Sequence, residues 1–177
     1  AHCLSQWGND FRPTYVEASK LATRFSTNII ALTASADPET RSEILEKLNI
    51  NNKNLFIQSF DRPNLKISMI NRADNYLQSI ANKIKNADGS SIIFCDSRKK
   101  VEQVSKKLKE LNVDNLIYHA GIDTKRRDDI QHEFMNTEKS VVVATIAFGM
   151  GVDKSNIRLV IHTNASSNIE AYYQEIG

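Results

Sequence analysis

The stretch VVVATIAFGMGVDK, Val141 to Lys154, carries the densest set of groups able to act on a ligand. An apolar run of strand length ends at the hydroxyl of Thr145, a Gly149-Met150-Gly151 turn follows, and the carboxylate of Asp153 comes next but one. Glycine lets backbone approach a ligand closely, and a carboxylate beside such a turn accepts hydrogen bonds. A lone glycine pair also makes an ordinary tight turn, so the spacing leaves both readings open. In LTASAD, Leu32 to Asp37, the hydroxyls of Thr33 and Ser35 stand where a strand gives way to a helix. They could relay the state of a neighbouring site through hydrogen bonds, or simply pack at the turn. In SSIIFCDSRKK, Ser90 to Lys100, Ser97 and Arg98 occupy a similar junction. Beyond it Arg98, Lys99, Lys100, Lys106, Lys107 and Lys109 face only Glu102 and Glu110, which suits a phosphate backbone or a solvated helix face. His119, in YHAGI, can contact a ligand or serve as a hydrogen-bonded structural histidine.

At the other end lies AHCLSQWGNDFRPTY, with Trp7, Phe11 and Tyr15 four residues apart. That spacing suggests a helix, but Gly8 and Pro13 argue for a loop over Gln6 to Pro13. Exposed rings beside a cation such as Arg12 make platforms for stacking nucleic-acid bases; the alternative is a loop whose rings plug the core.

The elements that must position these groups alternate along the chain. Helices are expected over Tyr15 to Arg24 and after Asp37, whose cap, with Pro38 and Glu39 in the first turn, precedes a stripe of Ile44, Leu45 and Leu48 that Asn49 ends. Further helices present Tyr76, Leu77, Ile80 and Ile84; then Val101, Val104, Leu108 and Leu111 behind a Ser97 cap; then run over Lys125 to Met135 and Asn168 to Gln174. Strands are expected at Thr27 to Thr33, Leu55 to Ser59, Leu65 to Ile70, Ile92 to Cys95, Leu116 to Tyr118, Val141 to Ala144 and Leu159 to His162. Continuous apolar strands between amphipathic helices imply an α/β fold with a parallel sheet covered on both faces. The polar, proline-bearing SFDRPN, Ser59 to Asn64, reads as a linker.

Bulk properties narrow the classes. The chain has 177 residues, 41% hydrophobic, enough for a core, and 23 basic against 21 acidic residues give a net charge of +2. Overall charge therefore neither demands nor excludes nucleic acid. Cys3 and Cys95 lack CxxC spacing, which fits a reduced cytosolic protein, and no zinc site is visible. No apolar run is long enough to span a bilayer, so no membrane partner is expected.

Taken together, SQWGNDFRP, LTASAD, SSIIFCDSRKK, YHAGI, VVVATIAFGMGVDK and the closing EAYYQEIG resemble the RecQ family of DNA helicases in superfamily 2. The resemblance covers essentially the whole chain. It implies two RecA-like domains with parallel sheets flanked by helices: a partial first domain over 1–58, a linker over 59–64, and a nearly complete second domain over 65–177. By that resemblance His2, at the end of a DEAH box, and Gln174, at the start of motif VI, are catalytic. Gly151 and Asp153 lie near ATP, with Asp153 towards the ribose. Gln6, Trp7, Asp10, Phe11 and Arg12 of the aromatic loop, Thr33 and Ser35 of motif III, Ser97 and Arg98 of motif IV, His119, and Thr145 of motif V bind DNA or couple its binding to hydrolysis. The implied cofactors are ATP and Mg2+. The implied partner is single-stranded and partially duplex DNA, and the implied activity is 3′ to 5′ unwinding in DNA repair and recombination.

Two residues depart from the family pattern. Asn9 stands where the family has histidine, and keeps a hydrogen-bonding side chain but not a titratable one. Ser35 replaces the second threonine of LTATA. The phosphate loop GxxxxGK[ST] and the arginines of RAGR have no counterpart here, so the chain is expected to be a fragment that does not hydrolyse ATP alone. SFDRPN and EAYYQEIG look more like bacterial members, with a cytoplasmic, nucleoid-associated location expected, or a nuclear one in a eukaryote. The competing readings are an RNA helicase of the DEAD or DEAH type and a nucleotide-free module that binds DNA or protein.

Overall fold

The strand that organises the second half of the chain, β1 (Ser90–Phe94), is buried along its entire length. The computed structural model describes residues 1, 4, 17, 20, 24–25, 27–33, 36–59, 61–149 and 152–177. Contacts divide the chain into two compact units, Ala1–Ser68 and Met69–Gly177.

In the second unit β1 pairs in parallel with β3 (Val141–Ala144) on one side and β4 (Ile157–His162) on the other, and β2 (Leu116–Tyr118) pairs with β3. The strand order is β2-β3-β1-β4, all parallel, as the apolar strand runs predicted. Alternate side chains of β1 and β3 serve different faces. Ile93 and Val143 pack with Ile80, Ala81 and Ile84 of α2 (Tyr76–Asn86) and with Val101, Val104 and Leu108 of α3 (Arg98–Glu110). Ile92, Phe94, Val142 and Ala144 pack with Ile130 and Phe134 of α4 (Thr124–Asn136) and with Phe148. Helix α5 (Ile169–Ile176) follows β4.

Strand β1 begins two residues earlier than the apolar run suggests. Ser90 is fully buried because its Oγ accepts from the Ser140 N–H at 3.1 Å and donates to the Glu138 carbonyl at 3.3 Å. A buried hydroxyl so satisfied carries little penalty. Gly89 precedes it where a Cβ would fall 2.4 Å from the Asn156 carbonyl oxygen and 2.6 Å from Arg158 Cγ, so only glycine fits against the start of β4.

The first unit departs from expectation. None of Thr27 to Thr33, Leu55 to Ser59 or Leu65 to Ile70 forms a strand, although each is apolar enough for one. A strand requires a ladder partner, and among the described residues none pairs with these runs. Many of their side chains are exposed, Ile30 by 85%, Leu32 by 79% and Phe56 by 91%, while Ile29 and Ala31 pack against the small core around Ile44. The helix expected over 15–24 lies mostly outside the described residues. Helix α1 (Pro38–Lys47) forms as read, with Asp37 accepting from the Thr40 N–H at 2.7 Å and Asn49 in the left-handed region at φ 52° just beyond its end. Its Ile44, with Leu48, Ala36 and Leu4, makes a small core. Hydrogen bonding from Thr40 holds the Asp37 carboxyl below its ordinary range. A carboxyl whose folded pKa is lowered contributes fully above its unfolded pKa, so this cap is lost as pH falls through the folded value.

Phe134 is completely buried and meets Phe148 edge-on at 5.2 Å, whereas Ile146 is 62% exposed. In urea unfolding, Phe134→Ala should cost roughly 3–5 kcal/mol and Ile146→Ala under about 0.5 kcal/mol.

Candidate functional site

The candidate groups of the second unit gather where the parallel strands end. In an open parallel sheet every strand delivers its next residues to the carboxyl edge, the usual place for a ligand. Ser97 and Arg98 follow β1, His119 follows β2, Thr145 follows β3, and Thr163 follows β4. Backbone hydrogen bonds tie these exits together: Thr145 N–H donates to the Tyr118 carbonyl at 3.1 Å, Cys95 N–H to Ala144 at 2.8 Å, and Thr163 N–H to Phe94 at 3.0 Å.

Ser97 caps α3, its Oγ accepting from the Lys100 N–H at 3.3 Å. Arg98 begins the helix and is exposed, with no hydrogen bond or ion pair among the described residues. A free guanidinium at a helix N-terminus adds its charge to unpaired backbone N–H groups, which favours an anion. The side chain runs past Gly121: a Cβ there would lie 3.0 Å from an Arg98 Nη and 3.1 Å from His119 Nδ1. Glycine at 121 therefore leaves room for both.

His119 is 7% exposed, and its Nδ1 accepts the Gly121 N–H at 3.1 Å. An accepting Nδ1 puts the ring proton on Nε2, which faces Glu102 Oε1 at 3.8 Å. This geometry is that of a histidine shaping the turn, one of its two sequence readings, with Arg98 as the group that reaches solvent. Helix α3 keeps most of its lysines exposed, although Lys107 pairs with Glu110 at 2.7 Å.

Thr145 is half-buried at the end of β3. Asp153 is exposed, without a hydrogen-bond or ion-pair partner among the described residues. Such a carboxylate is available to accept hydrogen bonds. No three potential metal ligands cluster among the described residues. Gln174 is exposed on α5, and Thr33 is exposed in the first unit with a partner of its own. His2, Gln6, Trp7, Asp10, Phe11, Arg12, Ser35 and Gly151 lie outside the described residues.

Sequence reading missed two anchors. Lys154 Nζ donates to the carbonyls of Phe134 at 2.6 Å, Met135 at 3.4 Å and Thr137, closing the C-terminal end of α4 while lying 5.1 Å from the Phe134 ring centre. Desolvation pushes its pKa down from the ordinary lysine value. Because carbonyl acceptors leave no mark in sequence, Lys154 read only as the end of a motif. The second anchor is His162, whose Nε2 comes 2.8 Å from Glu175 Oε2.

With this geometry in view, the relatives are informative. Residues 72–177 match the helicase conserved C-terminal domain. The ATP-dependent DNA helicase RecQ of Pasteurella multocida (strain Pm70) is 44% identical over the entire chain. The chain belongs to the RecQ family. The bifunctional 3'-5' exonuclease/ATP-dependent helicase WRN of Mus musculus is 40% identical, again over the entire chain. The chain spans 28% of the length of the first relative and 13% of the second. Among solved structures, S. cerevisiae Dbp5 bound to RNA and ADP BeF3 is similar over 97% of this RecQ-family chain and 46% of its own, with a TM-score of 0.72 at 19% identity. That likeness speaks for the fold alone, a RecA-like α/β architecture.

Lys154→Met should remove the cationic closure of α4 and lower unfolding free energy by about 1–2 kcal/mol in urea. Lys154→Arg, which can still reach the carbonyls, should lose less than half of that.

Proposed function

We propose that this chain forms part of a RecQ-like ATP-dependent DNA helicase that moves 3′ to 5′ on single-stranded DNA, in repair and recombination. The observation that carries the reading is the unpaired Arg98 guanidinium at the N-terminus of α3, on the same sheet edge as Ser97 and Thr145, within a sequence 44% identical to a RecQ helicase. A cation, hydroxyls and helix N–H groups on one edge suit successive backbone phosphates and read no bases. In this reading Arg98 and Ser97 take one phosphate and Thr145 another.

ATP supplies the free energy of each step, and its hydrolysis opens and closes RecA-like domains around the strand. Asp153 accepts hydrogen bonds from the ribose hydroxyls, and Gly151 belongs to the same nucleotide-binding motif. Gln174, at the start of the family's motif VI, takes a catalytic role at the ATP. The aromatic loop with Gln6, Trp7, Asp10, Phe11 and Arg12 stacks bases and signals their presence, and Thr33 and Ser35 pass that signal on. His2 stands at the end of the DEAH box, whose carboxylates would hold Mg2+ and so supply the charge that a hydrolysing site needs.

The test is ATP hydrolysis by the protein from the complete reading frame, with and without single-stranded DNA. Stimulation of at least roughly tenfold is expected, as is strand displacement on DNA in preference to RNA. Trp7→Ala should abolish most of the stimulation while sparing basal hydrolysis; equal loss of both would remove the aromatic loop from DNA sensing. Asp153→Ala should raise the Kd for ATP by about tenfold, equivalent to about 1.4 kcal/mol. A well-folded protein that binds DNA without hydrolysis would establish the binding-module reading instead.

A further inference from the structure

The last residue of β4 sits in a box. The His162 ring stacks on Phe94 of β1 at 5.4 Å and 28°, and Tyr172 of α5 tilts against it at 5.3 Å. Its Nε2 lies 2.8 Å from Glu175 Oε2, with only 15% of the His162 side chain and 8% of the Glu175 side chain exposed. The approach is off the ring N–H axis, a close polar contact rather than a well-aligned hydrogen bond. Ser166, in the connection between β4 and α5, donates its hydroxyl to the same carboxylate oxygen at 2.5 Å. One imidazole thus touches the sheet, and its carboxylate partner gathers the loop and the helix.

Tyr172 and Glu175 are three residues apart and share a helix face. Gln174 points elsewhere on α5 and is exposed. Fixing the face that holds Tyr172 and Glu175 therefore sets the rotation of α5, and with it the direction of Gln174. The cap adds no comparable constraint: Asn168 accepts from the Ala171 N–H at 2.7 Å, which starts the helix without orienting it against the sheet. Burying a carboxylate is unfavourable unless it is paired, so loss of His162 would leave Glu175 seeking water and free the helix to turn.

We propose that His162 is a positioning residue. Through Glu175 and Ser166 it sets the orientation of α5 at the carboxyl edge, so that Gln174 meets ATP in the geometry required for hydrolysis. The inference rests on the helicase reading above.

The experiment is steady-state ATP hydrolysis by the complete protein at saturating single-stranded DNA. His162→Ala should lower kcat roughly tenfold while KM for ATP changes less than about twofold, because a misplaced group costs rate more than binding. His162→Gln, which keeps a polar NH2 group within reach of Glu175, should recover at least half of the wild-type kcat. The double variant His162→Ala/Glu175→Ala should be no slower than His162→Ala, since the two act as one unit. Wild-type kcat in His162→Ala, no recovery by His162→Gln, or multiplying effects in the double variant would overturn the proposal. If His162→Ala does not fold, Ser166→Ala decides, with a kcat lowered about threefold expected and an unchanged kcat refuting it. Wild-type protein without DNA-stimulated hydrolysis would instead overturn the helicase reading and this inference with it.

Discussion

Everything in the second unit depends on one constraint: a parallel strand buried on both faces must have ladder partners on both edges. Strand β1 has β3 on one side and β4 on the other, in continuous register from Ser91 to Phe94. With no water to satisfy its amides, β1 is stable only when both neighbours are present. The same constraint makes α2 and α3 necessary on one face and α4 on the other. It also aligns the strand exits, so residues distant in sequence leave the sheet side by side.

The first unit displays the same physics with the opposite outcome. Apolar runs of strand length are there, yet no ladder forms among the described residues, and Ile30, Leu32 and Phe56 stand in solvent. Hydrophobic content makes a strand possible, but pairing makes it a strand. Helix α1 needs no such partner, because its cap and its backbone bonds lie within ten or so residues, and it forms where its residues say it should.

This contrast accounts for what could be read in advance. The α2 to α5 helices and the four strands of the second unit were legible because period and capping are local: Ser97, read as a cap, does cap α3, and Asp123 and Asn168 turn out to cap α4 and α5 in the same way. Their boundaries were less so, since the burial of Ser90 depends on Ser140, fifty residues on. Within the site, Ser97 and Arg98 were legible as a strand-to-helix junction. His119 was legible only as an alternative, because its accepting Nδ1 is fixed by one backbone N–H. Lys154 and His162 stayed hidden: backbone carbonyls leave no mark in sequence, and the Phe94 ring on which His162 stacks belongs to β1, distant along the chain.

The connection from β3 to β4 shows no α-helix among its described residues, yet both its ends are fastened. At one end Thr145 is bonded to the exit of β2, and at the other Lys154 grips the terminus of α4. Thr145 and Lys154 thus tie the exit of β2 and the end of α4 to one short stretch of chain. Loosening either fastening would give the chain between them more freedom, so the sheet edge and the layer opposite α2 and α3 share a single connection.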